Sequence, residues 1–210
     1  QGKILGFDYT SSFSDTVLFR IDRSPYELAA YLKTKVPLGD SFIIEPGIRF
    51  NTYSDQKNNF FPELRLGLKY LINDDRYINF AVGNYHQFIQ TAQDDFNPSI
   101  IDFWIAIDKS VEAGASQQIV LGYEEYIDSR YKIQIEGYYK NIQNTLTFVD
   151  SRSSTDEILE NSSVGDNFLM SDGYAYGLEL FTQKLTGKFT GWISYTYSIS
   201  RKSIEESYFF

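Results

Sequence analysis

The chain has 210 residues, no cysteine, one histidine and a formal net charge of −9. Without cysteine it forms neither disulfides nor zinc–thiolate sites, and its acidic balance argues against a general nucleic-acid binder, because phosphate contacts need clustered Lys and Arg. No apolar run approaches the ~20 residues of a transmembrane helix.

Apolar and polar residues alternate with a period of two along most of the chain. Because successive side chains of a strand point to opposite faces, this pattern predicts two-faced β-strands. Leu64 and Leu66 fall on one face of such a strand, for example, and Glu63 and Lys69 on the other. The ten predicted strands cover about residues 3–10, 15–22, 25–36, 41–53, 63–72, 76–90, 117–127, 131–148, 174–184 and 188–200.

The connections between these strands are of two kinds. Short turns are predicted at residues 37–40, 73–75, 128–130 and 185–187, and long polar segments at about 91–116 and 150–171. Short turns at one end and long loops at the other are typical of outer-membrane barrels. Aromatic residues, 17% of the chain, cluster near strand ends, as interfacial girdles require. The sequence therefore predicts an all-β, antiparallel, transmembrane β-barrel.

A soluble β-protein is the competing interpretation. Any antiparallel sheet with one solvent-exposed face shows the same alternation of apolar and polar residues. Strand length favours the barrel. Transmembrane strands need about 9–11 residues, whereas strands of globular proteins average about 5–6. Several of the predicted strands are longer than the length that a transmembrane strand needs.

Several segments rich in Gly and aromatic residues resemble a known family in a consistent order. Gly122-Tyr123-Glu124, Glu136-Gly137-Tyr138-Tyr139-Lys140-Asn141 and the glycine–tyrosine segments at 173–180 and 191–198 resemble the late barrel strands of TonB-dependent outer-membrane receptors. Residues 45–50 and 83–88 are similar to mid-barrel segments of the same family.

The resemblance implies a barrel of about 22 strands that encloses a plug domain. It also implies energy-dependent import of a scarce, bulky nutrient. We expect residues 1–210 to form part of one β-barrel domain, about ten strands of the whole, with the plug domain and the remaining strands absent from this chain. The implied partners are outer-membrane lipid, the TonB complex through a plug segment, and a small-molecule or oligomeric nutrient. The implied location is the outer membrane of a Gram-negative bacterium.

Sequence features that would indicate an enzyme are weak. His86 is the single histidine, so a multi-histidine metal site is excluded and a Ser-His-Asp site would have to use it. We expect no catalytic residue, no metal and no cofactor. The candidate ligand-facing residues lie at a strand end and in the long segment that follows it: Tyr85, His86, Gln87, Asp102 and Trp104.

Charged residues on the polar faces of the strands would line the barrel interior, where their mixed signs suit mutual pairing. They are Glu45, Arg49, Glu63, Arg65, Lys69, Lys132, Glu136, Lys140 and Glu179. Two other functions stay open: a passive porin-like or structural barrel, and a soluble β-sheet module that binds carbohydrate. Siderophore, cobalamin, oligosaccharide and peptide all remain possible cargoes of an importer.

Overall fold

The computed structural model describes residues 10–11, 14–17, 19–20, 24–92, 103–148, 159–160 and 163–204. The elements, in chain order, are β1 (Thr10–Ser11), β2 (Ser14–Val17), β3 (Phe19–Arg20), β4 (Glu27–Lys33), β5 (Val36–Leu38), β6 (Phe42–Tyr53), β7 (Phe60–Asn73), β8 (Arg76–Gln87), β9 (Ile89–Ala92), β10 (Phe103–Ala106), β11 (Gly114–Ile127), β12 (Tyr131–Phe148), β13 (Leu159–Glu160), α1 (Val164–Asn167), β14 (Phe168–Lys184) and β15 (Gly191–Ile204).

Nine of these strands form one antiparallel sheet in the order β15-β14-β12-β11-β8-β7-β6-β4, with β5 also paired to β6. Neighbours in the sheet follow one another along the chain, so the sheet is an up-and-down meander. Within the described part of the chain it stays open, with β4 and β15 at its edges. The described residues contain no helix with the length and hydrophobicity of a membrane-spanning segment.

The strand register confirms the predicted two-faced pattern. Arg49 lies opposite Glu63, Arg65 opposite Gly83, and Lys140 opposite Gln118, so the charged positions share one face. We call this the inner face. The other, outer face carries large apolar side chains that stay exposed in the chain: Leu28, Leu32, Leu64, Leu121, Ile135, Leu178, Tyr195 and Tyr197.

Aromatic residues border this apolar surface. On β6, Phe42 and Phe50 lie eight residues apart on the outer face, which is about 26 Å along a strand and about 20 Å across a tilted barrel wall. Their rings pack against β7: Phe42 lies 4.7 Å from the ring of Tyr70, and Phe50 lies 5.5 Å from that of Phe60. Two aromatic girdles flanking an apolar band of about 25 Å are the arrangement that membrane barrels use.

The predicted strands differ from the structure mainly at their ends. The strand expected over 25–36 is divided into β4 and β5, and the turn after it occupies residues 39–41, so Pro37 and Leu38 belong to a strand. Strand β14 begins at Phe168 rather than near residue 174, because β12 extends to Phe148 and pairs with this added segment. Of the strand predicted over 3–10, only Thr10 lies among the described residues. The strand predicted over 15–22 corresponds to two short strands, β2 and β3.

The long segment predicted over 91–116 is more structured than a polar loop. Thr91 and Trp104 pair within a β9–β10 hairpin, and Ile105, Ile107 and Val111 are buried. These three residues belong to a compact core at the long-loop end of the sheet. Its other buried members come from strands, from α1 and from residues next to strand ends: Tyr53, Phe88, Ala113, Leu146, Val164 and Phe168. Alternation could not reveal this core, since its contacts join segments far apart in sequence.

A close approach between strands makes Gly177 sensitive to substitution. A Cβ atom there would lie 2.6 Å from the carbonyl oxygen of Tyr197 and 2.9 Å from the hydroxyl of Tyr138. We expect Gly177→Ala to lower the free energy of unfolding by about 1–3 kcal/mol, measured by denaturant titration of the refolded full-length protein. Gly191→Ala is the control, because no atom lies within 4 Å of its added Cβ. Equal stability of the two variants would contradict the β12–β14–β15 register.

Candidate functional site

The inner face near the long-loop end is organised around a buried carboxylate. Glu63, only 3% exposed, accepts a hydrogen bond of 2.8 Å from the Arg65 guanidinium and one of 2.7 Å from the backbone N–H of His86. The guanidinium of Arg65 also lies 4.6 Å from the centre of the Tyr85 ring. A buried charge needs such partners to offset its lost hydration, and here they hold the end of β8 against β7.

Asn84 is the reason that this end of β8 departs from regular pairing. The β7–β8 ladder reaches only Arg65 and Gly83. Beyond it, the Asn84 side chain accepts from the N–H of Leu64 at 2.7 Å and donates to the carbonyl of Pro62 at 3.1 Å. A side-chain amide thus replaces the backbone partner that a strand would otherwise offer. On its other side, β8 stays in regular register with β11 as far as Gln87.

The loop before β11 is fixed by a second buried carboxylate. Asp108, 1% exposed, accepts from the backbone N–H of Ser110 at 2.8 Å and from that of Val164 at 3.1 Å, and it also accepts from the Ser110 hydroxyl. The Gln56 amide donates to the carbonyls of Asp108 and Val111 at 2.7 and 3.0 Å. Three connections between strands are therefore tied together at one end of the sheet.

A bulge in β12 completes this end. Asn144 has a φ of 58°, a left-handed conformation that is unusual outside glycine, and the β12–β14 register shifts beside it. The Gln90 side chain bridges the bulge, donating to the Asn144 carbonyl at 3.1 Å and accepting from the N–H of Leu146 at 3.0 Å. The Asn144 amide bonds to the Ala113 carbonyl at 3.3 Å.

Between these features lies a cavity of about 320 Å³. It is bounded by the end of β8, β9, the start of β11 and the part of β12 around the bulge. The lining side chains with polar atoms are Tyr85, His86, Gln87, Gln90, Ser116, Lys140, Gln143 and Thr145. The cavity has the volume of a small-ligand site and a few convergent polar groups.

The structure brings three of the five predicted ligand-facing residues together, since Tyr85, His86 and Gln87 all line this cavity. Trp104 does not line it; this side chain lies on β10, opposite Thr91, and is 55% exposed. Asp102 lies outside the described residues. The assignment of these side chains to ligand binding stays a prediction.

Sequence reasoning missed several lining residues. Gln90, Ser116 and Thr145 are ordinary polar residues in sequence, and only the β12 bulge and the β8–β11 register place them beside His86. Lys140 was predicted to face the barrel interior, which the register confirms. It was predicted there as one of a set of charges that pair with each other. Alternation predicts which face of the sheet Lys140 lies on. It does not predict which charged side chain, if any, lies beside it.

Most of the other inner-face charges do pair, as predicted from their mixed signs. Arg65 bonds to Glu63 at 2.8 Å, Lys33 to Glu45 at 2.8 Å and Lys132 to Glu124 at 3.2 Å. Among the described residues there is no group of three or more His, Cys, Asp and Glu side chains placed to hold a metal ion. The described inner wall is therefore largely self-neutralised by these ion pairs.

An open meander with an apolar outer face, aromatic borders and a charged inner face defines part of the wall of an antiparallel membrane barrel. The sequence of residues 3–208 matches the family described as TonB dependent receptor-like, beta-barrel. The chain belongs to this family, which comprises receptors and transporters of the outer membrane. No curated protein of established function matches the sequence.

Solved structures share the fold at low sequence identity. The FrpB iron transporter from Neisseria meningitidis superposes with a TM-score of 0.61 at 13% identity, over 87% of this chain and 27% of its own. The siderophore receptor PirA from Pseudomonas aeruginosa gives 0.62 at 14%, over 86% and 35%. The alcaligin receptor FauA from Bordetella pertussis gives 0.56 at 15%, over 85% and 31%. The chain thus spans about a quarter to a third of each.

Proposed function

We propose that this chain forms part of the wall of a receptor in the outer membrane of a Gram-negative bacterium, which imports a scarce nutrient by binding followed by gated passage. The observation that carries the proposal is the polar cavity at the long-loop end of the inner wall, in a chain of the TonB-dependent receptor family. Short turns mark the opposite end of the strands. In outer-membrane barrels the longer loops lie outside the cell, so the cavity would meet cargo first.

The proposed cargo is an iron chelate. Its support is the names of the structurally similar proteins, which are an iron transporter and siderophore receptors. The nutrient is taken up unchanged, so the wall needs to bind, orient and release it rather than break a bond. The proposed assembly further contains a plug domain and the TonB complex that acts through it.

Uptake assays on the full-length gene test this function. We expect cells that express it to accumulate radioactive iron from a ferric chelate, and to lose that uptake when the proton-motive force is dissipated or the TonB protein is deleted. Cells without the gene control for other routes. Uptake that persists without energy would support a passive pore instead, which is the second function considered above. Absence of uptake and of saturable chelate binding would overturn the iron proposal.

A further inference from the structure

The charged residues that line the cavity differ in sign from most of those in the chain. The protein carries 28 Asp and Glu against 19 Lys and Arg, yet the residues that line the cavity include Lys140 and no acid. The inner wall elsewhere carries acidic and basic groups side by side. No acid among the lining residues offsets the charge of this lysine.

Lys140 also differs from the other inner-face cations on β4 to β12. Lys33, Arg49, Arg65 and Lys132 each lie within 4.0 Å of a carboxylate oxygen, at 2.8, 3.5, 2.8 and 3.2 Å, and Lys69 lies 4.3 Å from the centre of the Tyr77 ring. Among the residues that the structure describes, Lys140 contacts neither a carboxylate nor an aromatic ring.

Lys140 is only partly accessible to water. Its side chain is half-buried in the wall of the cavity, between Gln118 on β11 and Ala175 on β14. A cation that has lost part of its hydration gains from any anion that enters the same space, since Coulomb attraction strengthens as the local dielectric falls. The neighbours Gln118 and Ala175 cannot supply that charge.

Neutral groups around Lys140 are placed to support an acidic oxygen. Gln90 is held rigidly by its two bonds to the β12 bulge. Ser116 brings a hydroxyl from β11 to the lining. His86 also lines the cavity, although its Nδ1 is buried and lies 3.7 Å from Glu63.

We propose that this cavity is an anion subsite, in which the Lys140 ammonium binds an acidic oxygen of the cargo and Ser116 and His86 supply neighbouring hydrogen-bond donors. The inference rests on the proposed function and deepens it: the cargo is an anionic chelate, with carboxylate or similarly acidic oxygens directed at Lys140. Neutral chelates lack the group that the subsite binds.

Binding of two iron chelates to the purified full-length receptor tests the subsite. Ferric citrate is the anionic probe, and a neutral ferric trihydroxamate is the comparison. We expect Lys140→Ala to weaken ferric citrate binding about tenfold or more, the usual loss for a hydrogen bond to a charged group, and to reduce the salt dependence of the remaining binding. Lys140→Arg should retain most of the affinity.

Lys69→Ala is the matched control, because it removes an inner-face lysine that does not line the cavity. It should change ferric citrate binding by less than about twofold, in the range of exposed charges. Unchanged affinity in Lys140→Ala, or an equal loss for both chelates, would overturn the anion subsite. If the wild type binds only the neutral chelate, the anion subsite is overturned but the proposed import function is not. A wild type that binds neither chelate overturns the anion subsite and the iron-chelate cargo.

Discussion

Ile135→Arg is expected to destabilise the barrel by about 2–4 kcal/mol in a bilayer, the cost of an arginine at the lipid-facing midplane. Ile135 lies on the outer face of β12, opposite Tyr123 and Leu180, and is 40% exposed in this chain. The outer-face aromatics Tyr131 and Tyr139 lie four residues to either side. That spacing places Ile135 midway between the two girdles, where a charged side chain loses most hydration.

Gln134→Arg is the matched control, because it places the same side chain one residue away on the opposite face. Gln134 donates to Glu136 at 2.7 Å and lies opposite Glu124. An arginine there meets two acids and the hydrated interior, so we expect a change within about 1 kcal/mol. Folding titrations of the full-length protein into lipid vesicles measure both variants. Equal destabilisation would contradict the assignment of inner and outer faces.

Asp108→Ala is expected to open the structured loop end of the sheet, at a cost of about 2–4 kcal/mol to local stability. The substitution removes a buried carboxylate and leaves the N–H groups of Ser110 and Val164 without their acceptor. Amide hydrogen exchange should accelerate at Ser110 and Val164, and a protease should cut within residues 105–113 more readily. The central strands should exchange as before, because their ladders do not depend on this loop.

Glu112→Ala controls for the loss of an acid from the same loop. Glu112 is exposed, and its carboxylate accepts from the Asn144 amide at 3.2 Å. An exposed contact of this kind contributes about 0.5 kcal/mol or less, so exchange at Ser110 and Val164 should change little. Equal acceleration in the two variants would show that Asp108 is not the group that holds the loop.

The Lys140 and Asp108 variants probe different links between structure and binding. Gly114, the first residue of β11, lines the cavity directly after the loop that Asp108 fixes. Loss of Asp108 should therefore weaken anionic and neutral chelates alike, because it alters the shape of the cavity. Loss of Lys140 should separate them by charge. The two patterns distinguish positioning of the site from recognition of the cargo.

Alternation in the sequence determined the sheet. Strand identity, the face of each residue and the short turns all depend on local properties, namely a side-chain period of two and the turn chemistry of Asp, Ser and Gly. The alternation places Leu66 and Ile135 on the outer face and Arg65 and Lys140 on the inner face, and the register confirms these positions. The family resemblance was likewise confirmed by the match over residues 3–208.

Tertiary structure alone decided the cavity and the core at the long-loop end. Ile105, Val164 and Tyr53 meet through contacts between segments with no common pattern, and the left-handed Asn144 shifts a register that alternation had predicted to be regular. The pairing of each charge was also beyond the sequence, because a period of two gives the face of a side chain but not its neighbour across strands. In the sequence, Lys140 is therefore indistinguishable from the other interior lysines. Only the folded sheet shows that it lines a cavity whose lining residues include no acid.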